Sequence, residues 1–136
     1  MIRVRTIDHI VLRTDNVEEM VRFYSDILCC PTERTLPPDT GLTQLRAGHA
    51  LIDIVSVDSE LGRTGGGPPG ATENNLDHFC LQLEDIGQED LREWLESNGV
   101  ETGSFETRYG AQGFGPSIYI SDPDGNTIEL RSRTDS

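Results

Sequence analysis

One hydrophobic pattern occurs twice along the chain. The segment IDHIVL at residues 7–12 matches LDHFCL at residues 76–81, and each is a short apolar run typical of a mostly buried strand. Each run is followed by apolar residues at helical spacing: Val17, Met20, Val21, Tyr24, Ile27 and Leu28 in the first copy, and Leu91, Trp94 and Leu95 in the second. The repetition predicts two similar modules, each of which begins with a strand and a helix.

Three further strand-like segments follow each predicted helix. They lie near residues 32–36, 42–45 and 50–57 in the first half, and near 101–105, 117–121 and 127–131 in the second. The run Asp122-Pro123-Asp124-Gly125-Asn126 has the composition of a tight turn between the last two segments. These segments complete a β-α-β-β-β order in each half, and the fold class that we expect is α+β.

The length of 136 residues suits one compact domain. We therefore expect a single domain over residues 1–136, made of a module at 1–58, a linker at 59–75 and a module at 76–136. The linker carries the sequence GRTGGGPPG, which lacks the Gly-Lys-Ser/Thr ending of a phosphate-binding loop and precedes no helical pattern. A connecting role is therefore the better interpretation of this glycine-rich segment.

The charged residues exclude several classes of function. The chain has 24 acidic and 11 basic residues, for a net charge of -13 at pH 7, and every basic residue is arginine. The absence of lysine excludes Schiff-base chemistry and the P-loop lysine, and so acidic a surface repels nucleic acid and anionic membranes. No apolar run is long enough to span a membrane, and three cysteines make a poor disulfide framework. We therefore expect a cytoplasmic protein whose partner is a small molecule.

Histidines and carboxylates occupy equivalent strand positions in the two halves. Strand alternation places His9 and His78 on the face opposite their apolar neighbours, and it places Asp53 and Glu129 likewise on the closing strands. Two such sheets facing each other would bring these four side chains to a common cleft. Two histidines and one carboxylate are ordinary ligands for a divalent metal and leave coordination sites open for a substrate.

Each of these residues also has a simpler interpretation. A single histidine is more often a hydrogen-bonded core residue or a surface residue, and Glu129 could lie at an exposed sheet edge. The equivalence of the two halves favours the metal site over these alternatives. Asp53 stays open, because aspartate is shorter than glutamate and either reaches the metal or falls short of it.

Four sequence motifs carry a resemblance to a known family. The opening DHIVL, the helix end FYSDIL, the second LDHFCL and the closing GFGPSIYISDPDGNTIEL resemble motifs of the vicinal oxygen chelate superfamily. That superfamily includes glyoxalase I, fosfomycin-resistance thiol transferases, extradiol dioxygenases and bleomycin-resistance binding proteins. The resemblance covers nearly the whole chain and is greatest to small glyoxalase-domain proteins of the virulence-protein-like group.

The resemblance implies a fold, a ligand set and an assembly. Two βαβββ modules would form a half-open barrel around a metal cleft, with His9, His78 and Glu129 as the metal ligands. Asp53 stands at a fourth ligand position where glyoxalases commonly have glutamate, and Cys29 stands where the family usually has a helix-ending glycine. The cofactor would be a divalent ion (Ni, Zn, Co, Mn or Fe(II)), and the assembly a homodimer.

The expected activity is that of a metal-dependent lyase or isomerase of glyoxalase type. The substrate would be small and would chelate the metal through vicinal oxygens, while a carboxylate at the metal, Glu129 or Asp53, moves a proton. The alternatives are an Fe(II) extradiol dioxygenase acting on a catechol and a non-catalytic ligand-binding protein of the bleomycin-resistance kind.

Three more residues are candidates for contact with the substrate. Arg108, which we expect in a loop at residues 107–113, either meets an anionic group or is a solvated loop charge. Ser117 and Tyr119 share a strand face that either lines the cleft or fills the barrel.

Overall fold

Each of the two repeated halves forms its own four-stranded sheet. The computed structural model describes residues 1–72 and 74–132, which separate into a first unit at Met1–Gly70 and a second unit at Ala71–Ser136. The boundary falls inside the predicted linker. Position 73 of that linker and positions 133–136 of the predicted second module lie outside the described residues. The prediction of one domain over 1–136 stays a prediction.

The first unit has the βαβββ order expected from the sequence. Its elements are β1 (His9–Thr14), α1 (Val17–Arg22), which continues as a π-helical turn at Phe23–Ile27, β2 (Thr32–Thr35), β3 (Leu42–Ala47) and β4 (Ala50–Ser56). The strand order is β1-β4-β3-β2, with β1 parallel to β4 and the other pairs antiparallel. Cys29 has φ 59°, so this cysteine adopts the left-handed conformation that a glycine supplies at many helix ends.

The second unit repeats the order and the topology. Its elements are β5 (His78–Gln82), α2 (Gln88–Ser97), β6 (Glu106–Gly110), β7 (Gly113–Ser121) and β8 (Thr127–Arg131). The strand order is β5-β8-β7-β6, and β5 again runs parallel to the last strand of its unit. The α+β class and the two βαβββ modules with open sheets are thereby confirmed.

The buried apolar side chains come from the strands and from one face of each helix. In the first unit they include Met20, Tyr24, Leu45, Ile52 and Ile54, and in the second Leu91, Leu95, Ile118, Ile128 and Leu130. The two helices nevertheless differ at one repeated position, because Tyr24 is fully buried whereas Trp94 is 43% exposed. No helix among the described residues is both long and apolar enough to span a membrane.

The strand predicted near residues 101–105 is wrong. The strand instead covers Glu106–Gly110, directly before the turn that leads into β7. The preceding segment is held by the helix rather than by the sheet, because Arg92 donates to the carbonyl oxygen of Gly103 at 3.4 Å and the Thr102 hydroxyl bonds Glu96 at 3.2 Å. Arg108 therefore lies on a strand and not in the predicted loop at 107–113.

The glycine-rich segment of the first unit closes around an arginine. Arg13 on β1 donates from Nε to the carbonyl oxygen of Gly62 at 2.9 Å, and it also donates to the carbonyl oxygens of Gly66 and Gly67. A phosphate-binding loop converges its N–H groups on an anion. Here carbonyl oxygens converge on a cation, which is the opposite arrangement.

Candidate functional site

The register of the second sheet gathers polar side chains on one face. Glu129 on β8 pairs with Cys80 on β5 and with Tyr119 on β7. The strands alternate, so His78 and Arg131 share this face, whereas Ile128 and Leu130 fill the core on the other. The Nε2 atom of His78 lies 3.3 Å from Oε1 of Glu129. The structure therefore brings two of the three predicted metal ligands together.

The other nitrogen of His78 is held by its chain neighbour. Nδ1 of His78 lies 2.8 Å from Oδ2 of Asp77. An ionised carboxylate only accepts hydrogen bonds, and a neutral imidazole carries one N–H. When that hydrogen is directed at Asp77, the lone pair of Nε2 faces a second acceptor, the Glu129 carboxylate. The contact is favourable only with a cation or a further proton between the two atoms.

The second oxygen of Glu129 contacts a buried arginine. Nη1 of Arg131 lies 3.3 Å from Oε2 of Glu129, and both residues are 6% exposed. The Arg131 guanidinium thus offsets the charge of a carboxylate that has little access to water.

The Arg108 side chain is hydrogen-bonded to residues of its own unit. Its Nη1 donates to the carbonyl oxygen and the hydroxyl of Ser117 at 2.8 and 2.9 Å, and its Nη2 donates to Glu106 at 2.8 Å. The guanidinium lies 4.3 Å from the ring centroid of Tyr119, and this ring meets that of His78 edge to face at 5.3 Å. All three predicted substrate contacts therefore lie in this unit, but only Tyr119 touches His78, and Ser117 is fully buried. Their contact with a substrate stays a prediction.

A cavity of about 310 Å³ opens beside His78 and Glu129, and Arg108, Ser117 and Tyr119 are not among its lining residues. Its lining combines the polar face of β5 and β8 with the turn between β6 and β7: His78, Cys80, Gln82, Tyr109, Gly110, Ala111, Gln112, Glu129 and Arg131. Desolvation and the nearby charge of Glu129 raise the pKa of the Cys80 thiol to about 11. Cys80 is therefore a neutral thiol near pH 7 and not an activated nucleophile.

The first unit carries the equivalent set with different partners. Nδ1 of His9 lies 2.7 Å from Oδ1 of Asp8, and this hydrogen bond, with a contribution from the charge of Asp53, raises the pKa of His9. Asp53 is 3% exposed and pairs with Gln44 and Val11 on the neighbouring strands. Nε2 of Gln44 lies 3.3 and 3.2 Å from the two Asp53 oxygens. A neutral amide thus contacts Asp53 where a guanidinium contacts Glu129.

The predicted ligands are divided between the two units. His9 and Asp53 belong to the first unit, and His78 and Glu129 belong to the second. Within the part of the chain that the structure describes, no three histidine, cysteine, aspartate or glutamate side chains form a group that could hold a metal. The joint ligand set of His9, His78 and Glu129 stays a prediction.

Comparison with known proteins decides the family. The family model of the Glyoxalase/Bleomycin resistance protein/Dioxygenase superfamily matches residues 6–130. The chain belongs to this superfamily. The resemblance inferred from the four motifs is thereby confirmed.

Several solved structures are similar to nearly the whole chain. An integron cassette protein from V. cholerae is 25% identical with a TM-score of 0.77, covering 98% of this chain and 99% of its own. A virulence protein from Salmonella typhimurium is 24% identical with a TM-score of 0.73, covering 98% and 100%. The fosfomycin resistance protein FosX from Listeria monocytogenes is 20% identical with a TM-score of 0.71, covering 97% and 94%. The last two likenesses concern the fold alone. Comparison with curated proteins gives no significant match.

The donor atoms of the second unit suit a divalent cation, which superfamily members commonly use. Ligand atoms at about 2.0–2.1 Å from one tetrahedral cation stand about 3.3–3.4 Å apart. The separation of His78 Nε2 and Glu129 Oε1 is 3.3 Å. The carboxylate on Nδ1 is the usual outer partner of a metal-bound histidine, because it fixes the ring and its tautomer. His9, with Asp8 on Nδ1, has the same arrangement.

Sequence reasoning missed one residue of the candidate site. Arg131 lies two positions after Glu129 and therefore on the same face of β8. The alternation that selected Glu129 was a sufficient signal to find it. A buried arginine is unusual without a partner, and one partner of Arg131 is the candidate ligand itself.

Proposed function

We propose that this superfamily member is a metal-dependent lyase or isomerase of glyoxalase type, acting on a small substrate that chelates the cation through vicinal oxygens. His78 and Glu129, together with His9, would hold the cation. The observation that carries the proposal is the 3.3 Å approach of His78 Nε2 to Glu129 Oε1, with Asp77 on the other side of the ring.

The bound cation would supply electrophilic stabilisation of negative charge that develops on a substrate oxygen. The protein supplies the orientation of the ligands. Asp77 holds the His78 ring, Tyr119 packs against it edge to face, and Arg131 holds the second oxygen of Glu129. Glu129 therefore presents Oε1, the oxygen that already faces the imidazole.

A carboxylate is proposed to move the proton between substrate atoms. Asp53 and Glu129 are the two candidates, and they differ in their partners. Oε2 of Glu129 contacts a guanidinium at 3.3 Å, whereas both oxygens of Asp53 contact the neutral amide of Gln44. Proton transfer by a positioned group contributes about 10²- to 10⁴-fold to a rate.

The cavity of the second unit sets the size and polarity of the proposed substrate. A volume of about 310 Å³ is at the lower end of the range for small-molecule sites. Arg108, Ser117 and Tyr119 are proposed to fix the polar end of the substrate from outside this lining, because Tyr119 contacts the His78 ring and Arg108 contacts both Tyr119 and Ser117. The absence of disulfides among Cys29, Cys30 and Cys80 suits the proposed cytoplasmic location. We propose a homodimer by analogy with the superfamily.

Metal binding tests the ligand assignment directly. The affinity for Co²⁺ is measured by titration for the wild type and for the variants His9→Ala, His78→Ala and Glu129→Gln. His49→Ala is the matched control, because His49 is an exposed histidine in the β3–β4 turn. We expect each ligand variant to lose at least about a hundredfold in affinity and the control to equal the wild type. Equal affinity in all five proteins contradicts the site.

Metal identity and turnover separate the reaction classes. Elemental composition is measured on protein purified without added metal, and the protein is then assayed with vicinal-oxygen substrates and with catechols in an oxygen electrode. Nickel, zinc, cobalt or manganese together with isomerase or lyase turnover supports the proposal. Tightly held iron with oxygen uptake on catechols contradicts it in favour of the dioxygenase. Ligand binding without turnover or metal contradicts it in favour of a binding protein.

A further inference from the structure

Arg131 connects the Glu129 carboxylate to the hairpin that walls the cavity. Its Nη1 contacts Oε2 of Glu129 at 3.3 Å. Its Nη2 donates to the carbonyl oxygen of Arg108 on β6 at 3.0 Å and to that of Gly113 at the start of β7 at 2.9 Å. One guanidinium therefore touches three strands: its own, β6 and β7.

The glycines of the hairpin leave room for this guanidinium. A Cβ at Gly110 would lie 2.9 Å from Cζ and Nε of Arg131, and a Cβ at Gly115 would lie 3.2 Å from Nη2. Neither glycine has a positive φ, so space and not backbone conformation is what their missing side chains provide. Gly113 differs, because its φ of 97° itself favours glycine. The motif YGAQGFG thus encloses a planar cation in the hairpin.

We propose that Arg131 is a positioning residue that fixes the orientation of Glu129 and couples it to the β6–β7 hairpin. With Oε2 held by Arg131, Glu129 offers only Oε1 to the cation. This role requires a planar group with several donors, because the side chain must bond a carboxylate and two carbonyl oxygens at the same time. The part that concerns cation binding rests on the proposed function, whereas the coupling to the hairpin does not.

Two variants disturb the guanidinium in different ways. Arg131→Lys keeps the positive charge near the cation but loses the fork, so the change in affinity reports orientation rather than charge. Gly110→Ala keeps the arginine and displaces its guanidinium, which is the flexible end of the close contact. If one variant fails to fold, the other still tests the proposal.

The matched controls come from the same unit. Arg92→Lys changes an arginine on α2 that bonds the carbonyl oxygen of Gly103. Gly103→Ala adds a Cβ that meets nothing within 4 Å. Neither residue lines the cavity beside His78.

Three readouts are taken for each protein: the dissociation constant for Co²⁺, the visible absorption spectrum of the Co²⁺ complex, and amide hydrogen exchange of residues 106–117 without metal. We expect Arg131→Lys and Gly110→Ala to weaken Co²⁺ binding about tenfold or more, the lower range for outer partners of metal ligands, and to change the spectrum. Hairpin exchange should become faster in Arg131→Lys. The two controls should match the wild type in all three readouts.

Failure of this proposal is distinguishable from failure of the proposed function. If Glu129→Gln abolishes Co²⁺ binding but Arg131→Lys and Gly110→Ala match the wild type in affinity and spectrum, Arg131 does not position Glu129 and this proposal is overturned alone. If the wild type binds no Co²⁺, the proposed function and the orientation of a ligand are both overturned. Amide hydrogen exchange of the β6–β7 hairpin then tests the coupling between Arg131 and the hairpin. Unchanged exchange in Arg131→Lys overturns the coupling as well, whereas faster exchange supports it.

Discussion

The turn between β7 and β8 depends on one buried aspartate. Asp122 is 5% exposed. Its Oδ1 accepts hydrogen bonds from the backbone N–H groups of Asp124 and Asn126 at 3.0 and 2.9 Å, and its Oδ2 accepts one from the side-chain amide of Asn126 at 2.8 Å. Replacement by alanine removes these acceptor contacts while the strand ladder remains.

The expected loss of stability follows from these contacts. A hydrogen bond contributes about 0.5–1.5 kcal/mol net, and more when one partner is charged. Three contacts in a partly buried turn therefore predict that Asp122→Ala lowers the free energy of unfolding by about 3 kcal/mol. Asp122→Asn retains an oxygen for the two backbone amides, and we expect a loss of about 1 kcal/mol for the missing charge and the altered contact to Asn126.

Urea unfolding followed by tryptophan fluorescence measures both losses. Trp94 is the single tryptophan and lies in the same unit as the turn, so its signal reports the relevant transition. The slope of the unfolding free energy against urea concentration should be the same in all variants, because the surface area that becomes exposed on unfolding hardly differs between them. Glu101→Ala, an exposed carboxylate in a loop, serves as the control and should differ from the wild type by less than about 0.5 kcal/mol.

The test compares the free energies of unfolding of the two variants. If Asp122→Ala costs less than about 1 kcal/mol, the three contacts do not hold the turn. If Asp122→Asn is as unstable as Asp122→Ala, the retained oxygen does not stabilise the turn. The assignment of most of the lost stability to the two backbone hydrogen bonds is then refuted.

Two further predictions concern titrating groups. Alkylation of Cys80 by iodoacetamide in metal-free protein should accelerate about tenfold per pH unit from pH 7 to pH 10, because desolvation and Glu129 raise the pKa of this thiol to about 11; a rate that levels off below pH 9 contradicts this. The hydrogen bonds from Arg46, at 2.9 Å, lower the pKa of Glu33 from its ordinary value of 4.5. The stability from this pair is therefore complete above pH 4.5 and lost as the pH falls through the lowered value. Glu33→Gln should lower Tm slightly at pH 7, and the difference from the wild type should shrink as the pH falls below 4.5; a difference that stays constant with pH would refute the pairing.

The local order of elements was predictable from the sequence because it depends on local physics. Helical spacing and strand alternation identified both helices and most strands, and Pro123 with Gly125 marked the last turn. The segment at 101–105 was misassigned, because side chains from α2 hold it away from the sheet. Periodicity describes one segment at a time and contains no information about which neighbour a segment contacts.

The candidate site was predictable in identity but not in its contacts. Alternation placed His78 and Glu129 on one face, and the structure places their polar atoms 3.3 Å apart. Arg108 was expected as a loop cation, but it lies on β6 and is bonded to Ser117 and Glu106. The role of Arg131 depends on the carbonyl oxygens of Arg108 and Gly113, which are distant from it along the chain.

The sequence by itself determined the repeat, the alternation and therefore the candidate donor atoms on each strand, because side-chain direction follows from the backbone period alone. Only the tertiary structure decided which of those donor atoms are in contact with other side chains. Pairing across strands requires the sheet register, and that register gave Glu129 a guanidinium and Asp53 a neutral amide. The two carboxylates are equivalent in the sequence pattern, and they differ chemically because their neighbours across the sheet differ.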